Sequence, residues 1–193
     1  MPVNGHIVDR RVERTRRLLL DSLKLLMMER GYERMTIQNI LDRAGVGRAT
    51  FYAHFSSKDQ LLEESIGGLR GWLLQQAPTD PPRRLGFSLP FFAHLDSHRG
   101  IYRMTVGRRG EVTVGRLIRR MLRDMIRDDL TSRGGPPGAA PPTELVAEFI
   151  VGALWSTVVW WMTTDTAMPA EAVDRVFRDL VFTGLPVAVS GSR

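Results

Sequence analysis

The chain has 193 residues, 43% of them hydrophobic, which is enough to bury a core in one domain or two modest ones. It has no cysteine, which excludes disulfides, thiolate metal sites and a cysteine nucleophile; no stretch approaches the about 18 uninterrupted apolar residues of a membrane span and no apolar leader opens it, so a soluble, cytoplasmic protein is expected. Of the formal net charge of +6, +5 lies in residues 1–58, where eleven Lys/Arg stand against six Asp/Glu, a balance that suits a polyanion such as nucleic acid or an anionic membrane surface, and equally a solvated face.

Helical signals dominate along the chain. Residues 10–30 lack Pro and Gly, and Leu19 or Leu20, Leu23, and Leu26 or Met27 recur at helical spacing, predicting an amphipathic helix that Gly31 ends. Thr36 suits the N-cap of a second helix over 36–44, whose Ile37, Ile40 and Leu41 form a short apolar stripe before Ala44-Gly45 breaks it. A third helix of barely two turns covers 47–53. Ser57-Lys58-Asp59-Gln60 is a capping-box pattern that opens a fourth helix, with Leu61, Leu62, Ile66 and Leu69 turned inward.

Two short helices joined by a glycine turn have the proportions of a helix-turn-helix, whose second member enters a DNA major groove. Such a helix needs one face for the core and one for the duplex. Phe51 and Phe55, four apart, serve the first; Arg48 and Tyr52, also four apart, share the opposite side with Ala49. Arg48 can fork onto a guanine edge or grip a phosphate, and Ala49 is small enough to approach a thymine methyl. Thr50, Tyr52 and His54 carry donors suited to phosphate oxygens, as does Thr36 beyond its capping role. Lys58, in the first turn of the fourth helix, is expected to meet the same phosphate strand.

Over residues 29–62 the stretch ERGYERMTIQNILDRAGVGRATFYAHFSSKDQLL resembles the DNA-binding signature of the TetR family of bacterial transcription regulators, and the likeness extends back to about Arg10. The Gly-Tyr turn, Thr-Ile start, Ala-Gly-Val, Thr-Phe-Tyr-x-His-Phe and Ser-Lys occur in order at fixed spacing, which makes the match specific. Lys24 stands where the family commonly has an apolar residue, and Gly47 replaces the more usual serine cap. The resemblance implies an all-α homodimer of about nine helices, with a DNA-binding domain over 1–76 and an effector-binding and dimerisation domain over 77–193. It further implies binding of a double-stranded DNA operator, a small-molecule effector, no cofactor and no membrane partner, with repression as the favoured outcome.

Beyond residue 76 the signals are weaker. APTDPPRR at 77–84 reads as a hinge-like break and RGGPPGAAPP at 133–142 as a loop. Between them, 115–130 is an amphipathic helix with Leu117, Ile118, Met121, Leu122, Met125 and Ile126 inside and Arg116, Arg119, Arg120, Arg123 and Arg127 mostly outside, a solvated face. Pro142 and Pro169 suit the starts of two further helices. Their apolar seam of Phe149, Ile150, Ala153, Leu154, Val158, Trp161, Val173, Phe177 and Leu180 is expected to form a four-helix dimer interface, with a core role inside one subunit as the competing account. Trp72, Phe87, Phe91, Phe92, Met104, Met121, Met125 and Trp155 are apolar groups of the kind that line an effector pocket. For catalysis there is little: His94 and His98 are four apart but lack a zinc-protease glutamate, GVG at 45–47 follows a helix instead of a strand, and no GxSxG turn occurs. No enzyme and no metal site are expected. The alternative reading is a helical protein that binds nucleic acid or anionic surfaces without sequence preference or effector control.

Overall fold

Eight helices and no strand make up the residues that the computed structural model describes, namely 4–79, 83–100, 102, 112–132 and 141–184. The about nine helices implied by the resemblance are therefore eight among the described residues. α1 runs over Asn4–Arg30 and starts six residues before the expected Arg10. Its inward face is the predicted one: Leu19, Leu23 and Leu26 are buried, and Gly31 ends it in the left-handed conformation that glycine adopts without a Cβ clash.

α2, Ile37–Ala44, begins where Thr36 closes a capping box with Asn39: Thr36 Oγ1 accepts from the Asn39 backbone N–H, and Asn39 Oδ1 accepts from the Thr36 N–H. Gly45 stops it, again left-handed, donating to the Leu41 carbonyl. α3, Arg48–His54, and α4, Lys58–Gln76, follow. The expected Ser57–Gln60 capping box is only half made. Ser57 Oγ accepts from the Gln60 N–H at 3.1 Å, but Gln60 Oε1 accepts from the N–H one residue further back, that of Ser56, at 2.6 Å. α1 packs on both α2 and α4, and Ile40, Leu41, Phe51, Phe55, Leu61 and Leu62 fill the space enclosed.

The second half contains α5, Ser88–Ser97; α6, Val112–Ser132; α7, Thr143–Thr163; and α8, Ala170–Phe182. α6 lies along α7, α5 against α8, and α7 against α8. Pro142 and Pro169 take the N-cap positions of α7 and α8, one residue before the helices they were expected to open. Ile118, Met121, Leu122, Met125 and Ile126 of α6 are buried as the 3.6-residue period requires, Leu117 is half-buried, and Arg116, Arg119, Arg120 and Arg127 are exposed with Arg123 half-buried. α7 is long and apolar enough to cross a membrane by length and composition. Its Ile150, Val151, Leu154, Val158, Trp161 and Met162 are buried, and the helix packs on α6 and α8.

This packing divides the expected dimer seam. Ile150, Leu154, Val158, Trp161, Val173 and Phe177 lie inside the single chain, where α7 and α8 pack on α5 and α6, as the competing account of a core role has it. Phe149 and Leu180 are exposed and Ala153 is half-buried. Large apolar side chains left uncovered on the same two helices are Leu145, Phe149 and Trp160 of α7 and Val176, Leu180 and Phe182 of α8.

The turn that leads into α5 is held by hydrogen bonds from two helices, α6 and α8. Leu85 is buried with φ at 50°, a left-handed conformation that costs a branched side chain about 1–3 kcal/mol. Its N–H donates to Asp129 of α6, and Arg178 of α8 donates to the Arg84 carbonyl at 2.8 Å. Three residues on, the buried Ser88 hydroxyl donates to the buried Asp174 carboxylate at 2.5 Å. Of the predicted break at 77–84 the segments 77–79 and 83–84 are described; of that at 133–142, only 141–142.

Candidate nucleic-acid interface

α3 divides its residues between two environments. Phe51 is 0% exposed and Phe55, its C-cap, is equally buried; their ring centroids lie 6.0 Å apart. Beside them Arg48, Ala49 and Thr50 are exposed, and Tyr52 keeps 49% of its surface in solvent with its ring edge-on to Phe51. One helix thus exposes a guanidinium, a methyl, a hydroxyl and a phenol while it buries two phenylalanines. His54 is half-buried beside the Phe55 ring.

α2 supplies a residue that the sequence reading passed over. Arg48 Nη2 donates to Gln38 Oε1 at 3.3 Å, and Gln38 Nε2 donates to Asp42 at 2.7 Å, so Gln38 orients the arginine and shares its exposed face. The signal available in sequence was position: Gln38 is an exposed polar residue in the first turn of α2, between the buried-face residues Ile37 and Ile40. Thr36 is exposed, its hydroxyl oxygen occupied by capping while its O–H remains a donor.

Gly47 caps α3 with φ at −74° and no side-chain hydrogen bond, and a Cβ there would meet nothing within 4 Å. Gly47→Ser is accordingly expected to stabilise the chain by about 0.5–1 kcal/mol, through a cap hydrogen bond and a less flexible unfolded state. Urea denaturation of the two proteins checks this; a loss of stability would show that the hydroxyl finds no N–H of α3.

Lys58 stands apart from the other expected phosphate ligands. Its ammonium is half-buried, donates to the carbonyls of Tyr32 at 3.0 Å and Met35 at 2.9 Å, and lies 4.1 Å above the Tyr32 ring. Tyr32 donates its hydroxyl to Asp59; burial, and then that hydrogen bond and negative charge, push its phenol well above the usual range.

Residues 19–65 match the profile described as bacterial regulatory proteins, tetR family, and residues 86–182 that of a transcriptional regulator C-terminal region. The chain belongs to the TetR family. It is a DNA-binding transcriptional regulator. Among its relatives is the HTH-type transcriptional repressor KstR2 of Mycobacterium tuberculosis, 25% identical over 198 residues that cover 95% of this chain and 96% of the relative. Its fold is that of a TetR transcriptional regulator from Streptococcus agalactiae, with a TM-score of 0.70 at 21% identity over 92% of this chain and 99% of the other. TylP, a TetR regulator from Streptomyces fradiae, has a TM-score of 0.65 at 27% identity over 91% and 80% of the two chains.

Of the groups expected to line an effector pocket of this TetR-family regulator, Phe87, Phe91, Phe92, Met121 and Met125 belong to one buried core, and Trp155 packs against it. Phe87, Phe91 and Phe92 are buried, and Phe92 meets Trp161 and Phe177 edge-on, each at 5.9 Å, so these rings are packed between α5, α7 and α8. Met121 and Met125 are buried on α6. Trp155 is half-buried under the Arg119 guanidinium, while Trp72 is exposed on α4 against the His94 ring at 5.6 Å. Met104 lies outside the described residues. The His94 and His98 ring centroids lie 4.4 Å apart with the planes tilted by 36°, and His98 Nδ1 bonds to the His94 carbonyl at 2.8 Å. Burial first, then the charges of His98 and Lys24, pull His94 down to about 4, so its ring is neutral near pH 7.

Proposed function

We propose that this regulator is a homodimeric, sequence-specific repressor that a small hydrophobic effector releases from a palindromic operator. The observation that carries the reading is the split face of α3: Arg48, Ala49 and Tyr52 stand in solvent over buried Phe51 and Phe55, the arrangement a helix needs to enter a major groove without leaving its core. Arg48, Ala49 and Gln38 are the candidates for base edges; Thr36, Thr50, Tyr52 and His54 suit phosphates. The uncovered apolar side chains of α7 and α8 supply a surface for a second copy, which places two reading heads on one duplex. Arg70 of α4 pairs with Asp128 of α6 at 2.9 Å, so a rearrangement of the C-terminal helices reaches α4 and the heads. An effector acts by favouring the conformation whose head spacing does not fit the operator.

Sequencing the genomic duplex fragments that the protein retains, followed by footprinting, tests the reading. Two protected half-sites with centres about one helical turn apart or somewhat more are expected. Arg48→Ala is expected to relax sequence preference by about 1–3 kcal/mol if the guanidinium forks onto a base. Titration with duplex, single strands and anionic vesicles at several salt concentrations separates the alternative: preference for vesicles or single strands makes the basic front a general polyanion surface.

A further inference from the structure

We propose that the N-terminal end of α1 is a basic arm that holds phosphates of the duplex flanking the stretch read by α3, and so supplies a salt-dependent, sequence-independent part of binding. The inference rests on the duplex-reading function proposed above. Eleven Lys/Arg lie in residues 1–58. Within the chain Arg16 pairs with Glu64, Lys24 with Asp21 and Arg43 with Glu29, Arg34 and Lys58 donate to backbone carbonyls, and Arg48 donates to Gln38. Of the others, Arg10, Arg11, Arg14 and Arg17 fall within about two turns of α1; all are exposed, and their guanidiniums pair with no described residue, Glu13 between them included.

Position makes this cluster an arm. Val12 lies seven residues before the buried Leu19, on the same face of the helix, and yet is 39% exposed, so α1 leaves the packed head at about this residue. The point of departure is fixed beside the reading helix: the Arg16 guanidinium lies 5.0 Å from the ring centroid of Phe55, the C-cap of α3. Arg10, Arg14 and Arg17 are four and three residues apart and form one stripe, and Asp21, next along it, is paired with Lys24. The stripe spans about 10 Å of helix axis, the rise of about three base pairs. Like charges gathered on an unpacked helix end repel one another, and a polyanion relieves that repulsion. Phosphate contacts made outside the reading helix add affinity without reading bases, so the arm lengthens the site and leaves its preferred sequence unchanged.

The test uses the full chain and three variants. The first carries Arg10→Gln, Arg14→Gln and Arg17→Gln, which remove three charges at nearly equal helix propensity. The second carries Lys at the same three positions and keeps the charges. The third carries Arg116→Gln, Arg120→Gln and Arg127→Gln on the exposed face of α6, which alters the net charge as much as the first. Circular dichroism establishes that each is folded at the assay temperature. Wild-type protein selects a preferred sequence from random duplexes, and affinities for that sequence, bare and with flanking duplex, and for random duplex are then measured over several salt concentrations. In the first variant the slope of log affinity against log salt is expected to fall by about 2.7 per subunit, about 0.9 for each charge, while the ratio of preferred to random affinity stays that of wild type. The second and third variants are expected to keep the wild-type slope. Wild type is expected to bind the flanked duplex more tightly than the bare one, and the first variant to bind the two alike. An unchanged slope in the first variant overturns the proposal, as does an equal fall in the third, which would make the effect one of net charge. Loss of binding to anionic vesicles with duplex binding intact also overturns it. A wild-type protein that selects no sequence refutes the underlying reading, while the slopes on random duplex still decide whether the arm holds phosphates.

Discussion

Phe51→Ala is expected to destabilise the N-terminal helices by about 3–5 kcal/mol and to abolish duplex binding, whereas Tyr52→Ala, one residue on, costs under about 1.5 kcal/mol and weakens binding in a folded protein. Phe51 has no exposed surface and packs on the rings of Phe55 and Tyr52, so truncation leaves a cavity where α1, α2 and α4 converge. A loss of that size is a large share of what holds a domain of this size together. Tyr52 has nearly half its surface in solvent, and its removal forfeits one edge-on ring contact. Denaturant midpoints with constant slope give the stability change, and titration against duplex gives the binding change. Equal destabilisation by both substitutions would mean that α3 has no free face and cannot serve as a reading helix.

The N-terminal half was legible because its determinants are local. Thr36 as N-cap and Gly31 and Gly45 as left-handed stops each follow from local spacing, whereas Arg48, Phe51, Tyr52 and Phe55 share one helical stripe on which packing buries only the two phenylalanines. Helix α1 begins before the expected Arg10, since Gly5 in its first turn weakens a helix by only about 1 kcal/mol and does not forbid it. The carbonyl contacts of Lys58 have a different origin. Its carbonyl partners lie 26 and 23 residues away, and no local pattern announces that a surface-type residue at a helix start will turn inward. The left-handed Leu85 is the same case: a leucine carries no turn signal, and the groups that hold it come from α6 and α8. On α7 and α8 the apolar stripe is wider than one face, so periodicity alone could not say which residues meet α5 and α6 and which remain outside.

That last division leads to the other large effect. Phe149→Asp is expected to convert the proposed dimer to monomer while the subunit stays folded, and Ile150→Asp to unfold it. Phe149 is 65% exposed in the single chain, so a carboxylate there stays in water when no partner is present. Ile150 is buried, and a charge at that position has neither water nor a counter-ion. In a two-fold interface the same substitution appears twice, once from each copy, and the two carboxylates oppose each other or lie under apolar surface. A penalty of about 3 kcal/mol, at the low end for such juxtaposition, weakens the dimer more than a hundredfold. Leu145, Phe149 and Trp160 fall along one face of α7, where a Cβ at Gly152 would touch nothing within the chain, and Val176 and Leu180 continue the surface on α8. Small residues at the centre of such a face let two helices approach, while the aromatic and branched residues around them bury area. Sedimentation velocity separates the two association states, and footprinting then reads their consequence, since a monomer can protect only one half-site. If Phe149→Asp remains a dimer of unchanged affinity, the subunit contact lies on another surface, and the exposed Leu18, Leu25 and Met28 of α1 become the next apolar stripe to substitute.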